Sequence, residues 1–323
     1  MQEILERYKN NPILLPDTSS WWESKAVFNC TVLSDGNRVH MLYRAVGEYE
    51  KYISRIGYAS STDGYSFNKR KEMALEPKEE YEKYGLEDPR LVEIDHQTYV
   101  SYVVLSNYAN LRPTASTALA TTTDFNEYIR LGIVTSKESD NKDVVLFSEN
   151  VNQQSSNNKA ENTKYLFLHR PSSWIGPRYG VDKPSIWIGE GNSLTDFGKH
   201  ILLIKPEQQW EMLKVGAGPP PIKTKRGWLL IYHGVSKDHV YSAGAALLDL
   251  KEPSKVLGRT KKPILEPKES YEKNGDVNNV VFPTGACIID GKLFVYYGAA
   301  DKVCCLATAD LENLLEHILN NGN

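Results

Sequence analysis

Residues 75–103 read LEPKEEYEKYGLEDPRLVEIDHQTYVSYV, and residues 265–297 read LEPKESYEKNGDVNNVVFPTGACIIDGKLFVYY. The first ten or so positions nearly coincide, and both segments then enter a run of aromatic and β-branched residues. Self-similarity of this kind marks a repeat architecture. The aromatic run occurs five times: NRVHMLYRA from Asn37, QTYVSYVVL from Gln97, TKYLFLHRP from Thr163, GWLLIYHGV from Gly227 and KLFVYYGAA from Lys292. Counted from Arg38, Gln97, Thr163, Gly227 and Lys292, the copies lie 59, 66, 64 and 65 residues apart. Turn-like clusters such as SDGN, IDH and IDG precede them, and their composition suits a pleated, half-buried surface.

A second element follows each copy, a strand of small residues that ends near an aspartate: YASSTDGYSF, LATTTDFNEY, IGEGNSLTDFG, AALLDLKEP and LATADLENL. Helical periodicity is confined to LENLLEHILNN at 311–321. Five units of several short strands predict an all-β fold, a five-bladed β-propeller with a short C-terminal helix. A β-sandwich competes, but it has no need of five equivalent units. No linker interrupts the pattern, so residues 1–323 are expected to form one domain. The polar run NVNQQSSNNKAENTK, 150–164, reads as a surface loop within it.

Lys plus Arg is 38 and Asp plus Glu is 41, a formal charge of −3. No basic stripe is present, which argues against a nucleic-acid partner. The four cysteines, Cys30, Cys287, Cys304 and Cys305, have no C-x-x-C spacing, so neither a disulfide framework nor a zinc site is indicated. The opening MQEILERYKNNP is charged where a signal peptide needs an apolar core, and no run of 18 apolar residues occurs. The expectation is a cytoplasmic protein with no membrane association. The outer faces of a propeller leave a homo-oligomer open.

If the recurring strand lines the central channel, its polar positions carry information. The five copies align Tyr43-Arg44, Tyr102-Val103, His169-Arg170, Tyr232-His233 and Tyr296-Tyr297, so four of them bring Arg, Arg, His or Tyr to one level. GLEDPR (85–90), WEMLKVGAGPPPI (210–222) and GAAD (298–301) are expected at the same mouth. Each feature alone has a plain structural account. Arg44 and Arg170 would pair with carboxylates, and His169 and His233 would be core histidines. Lys214 would be solvated, and Asp-Pro and GPPP would be turns. Together they form one acid candidate, Asp88 or Glu87, facing an excess of cations. Inverting hydrolysis needs two carboxyls roughly 6.5–9.5 Å apart. A Lys, Arg, His and Tyr cluster instead suits an oxyanion such as phosphate, with Arg bidentate and Lys a point charge. Phosphate arrives ionised and needs no general base, which points to phosphorolysis.

GLEDPRL, FLHRP, WEMLKVGAGPPPI, GWLLIYHGV, Tyr241, ALLDLKEPSKVLGR, YEKNGDVNNVVFPTGA and VYYGAAD, in order from about Asn11 to Asp310, together resemble glycoside hydrolase family 130. The resemblance implies a five-bladed propeller that cleaves β-mannosides with phosphate as co-substrate and without a cofactor or metal. It implies Asp88 as the catalytic acid, passing a proton through the 3-hydroxyl of the bound mannose while phosphate attacks the anomeric carbon from the opposite face. The product is α-mannose 1-phosphate. It implies a phosphate set of Arg170, Lys214, His233 and Tyr241. It also implies that Asn29, Arg44, Arg90 and Asp301 hold the sugar on the non-reducing side of the cleaved bond. Three departures stand out: Ser148 replaces a proline, the 150–164 run is long, and a further basic residue upstream of Arg170 is represented only by the nearby Lys142. The implied substrates are short β-1,4- or β-1,2-linked mannosides, with the linkage read by loops at 46–55, 106–116 and 172–182. There Trp174, Tyr108 and Tyr179 either stack on a sugar or pack beneath their own loops. An inverting β-mannosidase using Glu87 or Glu211 and a silent mannoside-binding propeller are the alternatives.

Overall fold

The computed structural model describes residues 4–109, 112–136, 139–149, 151–153, 162–195 and 198–321. Five antiparallel sheets follow one another along the chain, as the fivefold repeat predicts. Their first strands are Ala26–Ser34, Leu86–Ile94, Asn141–Leu146, Lys214–Ala217 and Val281–Ile289. These first strands are the innermost ones. The recurring aromatic strand is the second in each blade: Val39–Val46, Gln97–Ala109, Asn162–Pro171, Gly227–Val235 and Lys292–Ala299. The expectation that this strand lines the channel is therefore corrected by one strand. It is the more apolar because it is covered on both faces by neighbouring blades. Leu42, Ile56, Val100 and Tyr102 pack between the first two blades, and Leu229, Ile231, Val295 and Tyr297 between the last two. Each such fully buried side chain contributes about 1.5–3 kcal/mol.

The small-residue strands are the third in each blade, and in four of them the aspartate ends the strand; Asp196 of blade 3 lies outside the described residues. Asp63 Oδ1 accepts the amides of Tyr65 and Ser66, Asp124 those of Asn126 and Glu127, and Asp249 those of Lys251 and Glu252. Such Asx turns close the strand by offering the backbone a local partner. Asp310 does the same for Asn313 at the start of the C-terminal helix, Leu311–Asn321. The polar run 150–164, expected as a surface loop, is strand at both ends, where Val151–Gln153 pairs with the start of the second strand of blade 3; residues 154–161 lie outside the described residues. The four cysteines are buried free thiols. Among the described residues no helix is long and apolar enough to cross a membrane.

The duplicated LEPKE segments have a definite job. Each forms a single helical turn whose buried glutamate, Glu82 or Glu272, accepts two backbone amides ahead of it. The same carboxylate takes the phenol of the second strand and a cation of the outermost strand. Glu82 meets Tyr102 (2.7 Å) and Arg130 (2.9 Å), and Glu272 meets Tyr297 (2.8 Å) and Arg7 (2.8 Å). Two divergent copies complete the set: Glu211 with Tyr232 (3.3 Å) and Arg259 (2.5 Å), and Glu23 with Tyr43 (2.7 Å) and Lys69 (2.9 Å). In blade 3 His169 stands in the tyrosine's place, bonded to Asn141 and His200 at 3.0 Å each. These ties place Tyr297 with Tyr43, Tyr102 and Tyr232. The fifth copy of the sequence alignment is therefore shifted by one residue, and Gly298, not Tyr297, stands level with Arg44.

Arg7 lies on the two-residue strand Glu6–Arg7, which pairs with the third strand of blade 5 and closes the ring. Removing Arg7 leaves Glu272, whose side chain is wholly buried, without its counter-ion. An uncompensated buried charge costs about 3–5 kcal/mol. Arg7→Ala should accordingly lower unfolding stability in urea by about that amount. Glu80→Ala, at an exposed carboxylate paired only with Lys83, should change it by less than about 0.5 kcal/mol.

Candidate active site

Four of the five innermost strands carry a β-bulge, between Phe28 and Thr31, Glu87 and Arg90, Lys142 and Val145, and Pro283 and Gly285. A bulge adds a residue to one strand and re-aims its side chain. In three of them that residue is Asn29, Asp88 or Asp143, with φ of +49°, +48° and +59°. Non-glycine residues reach this region at a cost that Asn and Asp bear best. All three side chains line one cavity of about 170 Å³ on the propeller axis. GLEDPR is therefore not a loop, as the Asp-Pro turn signal suggested, but part of this bulged strand. Pro89 is tolerated because the strand is the inner edge of its sheet and the bulge removes a ladder bond there.

One wall surrounds Asp88. Its Oδ1 accepts Asn29 Nδ2 at 2.7 Å and Arg44 Nη1 at 3.3 Å. Arg44 also donates to Glu87 Oε1 at 2.6 Å and Ser54 Oγ at 2.8 Å. Lys142 Nζ lies 3.5 Å from Glu87 Oε2. Burial works against charge on Asp88, but Arg44, Arg90, Lys142 and the Asn29 amide outweigh it and hold the carboxyl below its ordinary value. Asp301, on the turn after the second strand of blade 5 at φ +50°, completes this wall. Burial lifts its carboxyl to about 6; Arg44 opposes the shift, and Asp88 and Glu87 add to it. A Cβ on Gly298 would stand 2.0 Å from Asn29 Oδ1, so that position admits only glycine.

The opposite wall is cationic. Arg170 Nε donates to Asp143 Oδ2 at 2.6 Å, and His233 Nε2 lies 3.9 Å from the same oxygen. Asp143 is held well below the usual carboxylate range despite its burial, chiefly by Arg170. Lys214 Nζ sits 5.2 Å from the centre of the Tyr241 ring, which stacks on His233 at 6.1 Å. Burial, reinforced by Arg170 and opposed by Asp143, pushes Lys214 down to about 8. Burial pushes His233 down to about 3, with Arg170 and Lys214 adding to it, so its imidazole is neutral. Gly216 is fixed by this wall, since a Cβ there would meet Asp143 Oδ2 at 2.2 Å.

Asp88, Asn29, Arg44, Asp301, Arg170, Lys214, His233 and Tyr241 thus converge on one cavity, and Lys142 joins them. Arg90 does not line it. Its buried guanidinium lies beneath the floor, donating to the carbonyls of Gly218 (2.7 Å) and Asp88 (3.0 Å). Glu211 also stands apart, held in its blade tie. His169 is a core histidine. Trp174 stacks on Tyr179 at 5.6 Å and meets Trp187 edge-on at 5.2 Å, so both aromatics of the 172–182 loop pack within their own blade. The Tyr108 side chain lies outside the described residues. Asp143 was missed by sequence reasoning. The signal that finds it is the bulge position shared with Asn29 and Asp88, which exists only once the strands are paired.

A family model described as beta-1,4-mannooligosaccharide phosphorylase matches residues 4–320. The chain is 39% identical over 316 residues to 1,2-beta-oligomannan phosphorylase of Thermoanaerobacter sp. (strain X514), covering 96% of this chain and 98% of that protein. It is 37% identical over 324 residues to the beta-1,2-mannobiose phosphorylase of the same organism, again covering 96% and 98%. The fold matches that of Listeria innocua beta-1,2-mannobiose phosphorylase, solved with beta-1,2-mannobiose. That match has a TM-score of 0.83 and 30% identity, over 97% of this chain and 99% of that one.

The depressed Lys214 has a measurable consequence. An anion on this wall favours the charged ammonium, which is present below about pH 8 and lost above it. Sulfate, whose charge is constant over this range, should bind with an affinity that falls as pH rises through about 8, toward tenfold per unit beyond it. Calorimetric titration between pH 6.5 and 9.5 checks this; a flat profile contradicts it.

Proposed function

We propose a function from one premise: the chain belongs to glycoside hydrolase family 130, the mannoside phosphorylases. It is a mannoside phosphorylase, and we assign it β-1,2-linked mannosides as substrates. The linkage rests on the two relatives at 37–39% identity and the structural neighbour, all named for β-1,2-mannosides. The family model's β-1,4 description is outweighed by these individual relatives, each matched over nearly its whole length.

One observation supports phosphorolysis over hydrolysis. The cavity sets Asp88 across from Arg170, Lys214, His233 and Tyr241. Glu87 is held by Arg44 and Lys142, and Asp143 by Arg170. Asp301, the remaining carboxylate of the lining, stands on the same wall as Asp88, so no uncommitted carboxylate stands on the opposite wall to activate water as an inverting hydrolase requires. A lectin would have no use for the cationic wall.

In this reading the mannosyl ring lies between the two walls. Phosphate on the cationic wall forms a bond to the anomeric carbon as the bond to the leaving oxygen breaks on the opposite face, with inversion. Hydrogen phosphate carries one proton, the leaving oxygen ends with one, and the reaction is proton-neutral overall. Asn29 and Arg44 occupy Asp88 Oδ1, which leaves Oδ2 to meet a sugar hydroxyl. In the free site Asp88 is ionised. A phosphate dianion offsets the cations that hold it so and raises its proton affinity, since a nearby like charge favours the neutral form. The acid is thus armed only when the nucleophile is bound. Arg90 acts through the backbone, fixing the carbonyl of Asp88 from below.

Two measurements test this. Incubation with β-1,2- and β-1,4-mannobiose, with and without phosphate, should yield mannose 1-phosphate only with phosphate and preferentially from the β-1,2 isomer. Equal release of free mannose without phosphate would overturn the reading. Asp88→Asn should fold normally and lose turnover by ~10²–10⁴. Lys214→Ala should chiefly raise the apparent constant for phosphate.

A further inference from the structure

Among the described residues, blade 3 has no counterpart of the buried glutamate that ties the other four blades, and what replaces it reaches a different place. In blades 1, 2, 4 and 5 the carboxylate lies on the chain ahead of the inner strand, and none of the tie's side chains belongs to that strand. In blade 3 the tie starts on the inner strand itself. The Asn141 side chain meets His169 Nδ1 on the second strand at 3.0 Å, and His169 Nε2 meets His200 Nδ1 on the outermost strand at 3.0 Å. His169 stands in the phenol's place and His200 in the cation's.

The position of Asn141 gives this tie a second role. Lys142 and Asp143, the next two residues, both line the cavity. His169 adjoins Arg170, which donates to Asp143 at 2.6 Å. The tie therefore grips the chain beside both members of an ion pair in the cationic wall. It does so where the ladder is broken. Lys142 pairs with Arg170 and Val145 with Leu168, so Asp143 and Val144 are out of register and His169 is the residue opposite the gap. A bulge leaves its extra residue unpaired, and here Asp143 also holds φ +59°. From blade 2, Thr117 Oγ1 donates to the Asn141 carbonyl at 3.0 Å and Ser101 Oγ to the Val144 carbonyl at 2.6 Å, fixing the strand on one side. The Asn141–His169 link fixes it on the other.

The links are directional. His169 is buried, and burial together with His200 keeps its imidazole neutral. A neutral imidazole donates from one nitrogen and accepts at the other. Both links are therefore satisfied together: Nδ1 donates to Asn141 Oδ1 while Nε2 accepts from His200, or the reverse. Trp174 packs edge-on against both rings, at 5.3 Å and 4.9 Å. In such a low-dielectric setting a hydrogen bond holds geometry strongly.

Resting on the phosphorylase reading, we propose that His169 is a positioning residue for phosphorolysis: through Asn141, and braced by His200, it holds Asp143 and Arg170 where the cationic wall takes phosphate. His169 does not itself line the cavity.

The test uses Asn141→Leu and His169→Phe, with His200→Phe as a variant at a half-buried position on an edge strand. In the first two, sulfate affinity measured by calorimetry should fall roughly 3- to 10-fold, the scale of one hydrogen bond, and the apparent constant for phosphate should rise equally. His200→Phe, which removes only the brace, should shift both by at least about twofold. Affinity for β-1,2-mannobiose, assigned to the wall of blades 1, 2 and 5, should stay within about twofold in all three, a split that general loosening of the fold would not produce. His169→Asn, whose amide takes the place of Nδ1, should recover sulfate affinity relative to His169→Phe. His169→Gln, whose amide takes the place of Nε2, should not. Unchanged sulfate and phosphate constants in Asn141→Leu and His200→Phe, or an equal change for mannobiose, overturn the proposal. Should Asn141→Leu fail to fold, His200→Phe decides alone. A wild-type protein that binds no sulfate also refutes it. If the wild type binds sulfate yet makes no mannose 1-phosphate, the phosphorylase reading fails by itself, and the sulfate titrations still decide whether His169 positions the wall.

Discussion

A glutamate buried within each of four blades is the interaction on which this molecule depends. An ionised carboxylate in the interior is costly unless every lone pair is met. In three of the four a helical turn supplies backbone amides, and in all four the second strand supplies a phenol and the outermost strand a cation. The tie therefore spans the blade from one edge to the other and pins the register of strands whose aromatic composition alone would not. Register matters because successive residues of a strand point to opposite faces. Tyr43 reaches the tie and Arg44 the cavity; Tyr232 reaches the tie and His233 the cavity. A slip of one residue would exchange the structural and functional sets.

The cavity is governed by unequal sharing of charge. Both Asp88 and Asp143 are bulge carboxylates at the same structural level, yet they face different partners. Asp143 is committed to Arg170 and serves to aim it. Asp88 meets Asn29 and Arg44 through Oδ1 alone and is surrounded by cations that an arriving anion would neutralise. The same bulge geometry thus commits a carboxylate to an ion pair in blade 3 and, in the proposed reaction, supplies the acid in blade 2. Asp301, lifted toward neutral pH by burial, and Lys214, lowered toward it, bracket the range in which both walls carry their working charge.

What the amino-acid sequence determined by itself was the repeat, the strand content and the residue types of the site. The aromatic run recurs at nearly constant spacing, and side-chain composition is enough to assign such runs to strands. Arg44, Arg170 and His233 stood out because polar groups broke an otherwise apolar strand pattern, Asp88 and Lys214 came from flanking motifs, and Tyr241 from the family resemblance alone. Only the tertiary structure decided which strand is innermost, because that depends on how sheets close about an axis, not on any local preference. It decided that GLEDPR is a bulged strand and that Tyr297 belongs to a tie. It also decided that Arg90 works from below and that Glu211 is structural. Asp143 lay beyond reach for the same reason: its equivalence to Asp88 is a matter of hydrogen-bond register between strands, which exists only once the strands have paired.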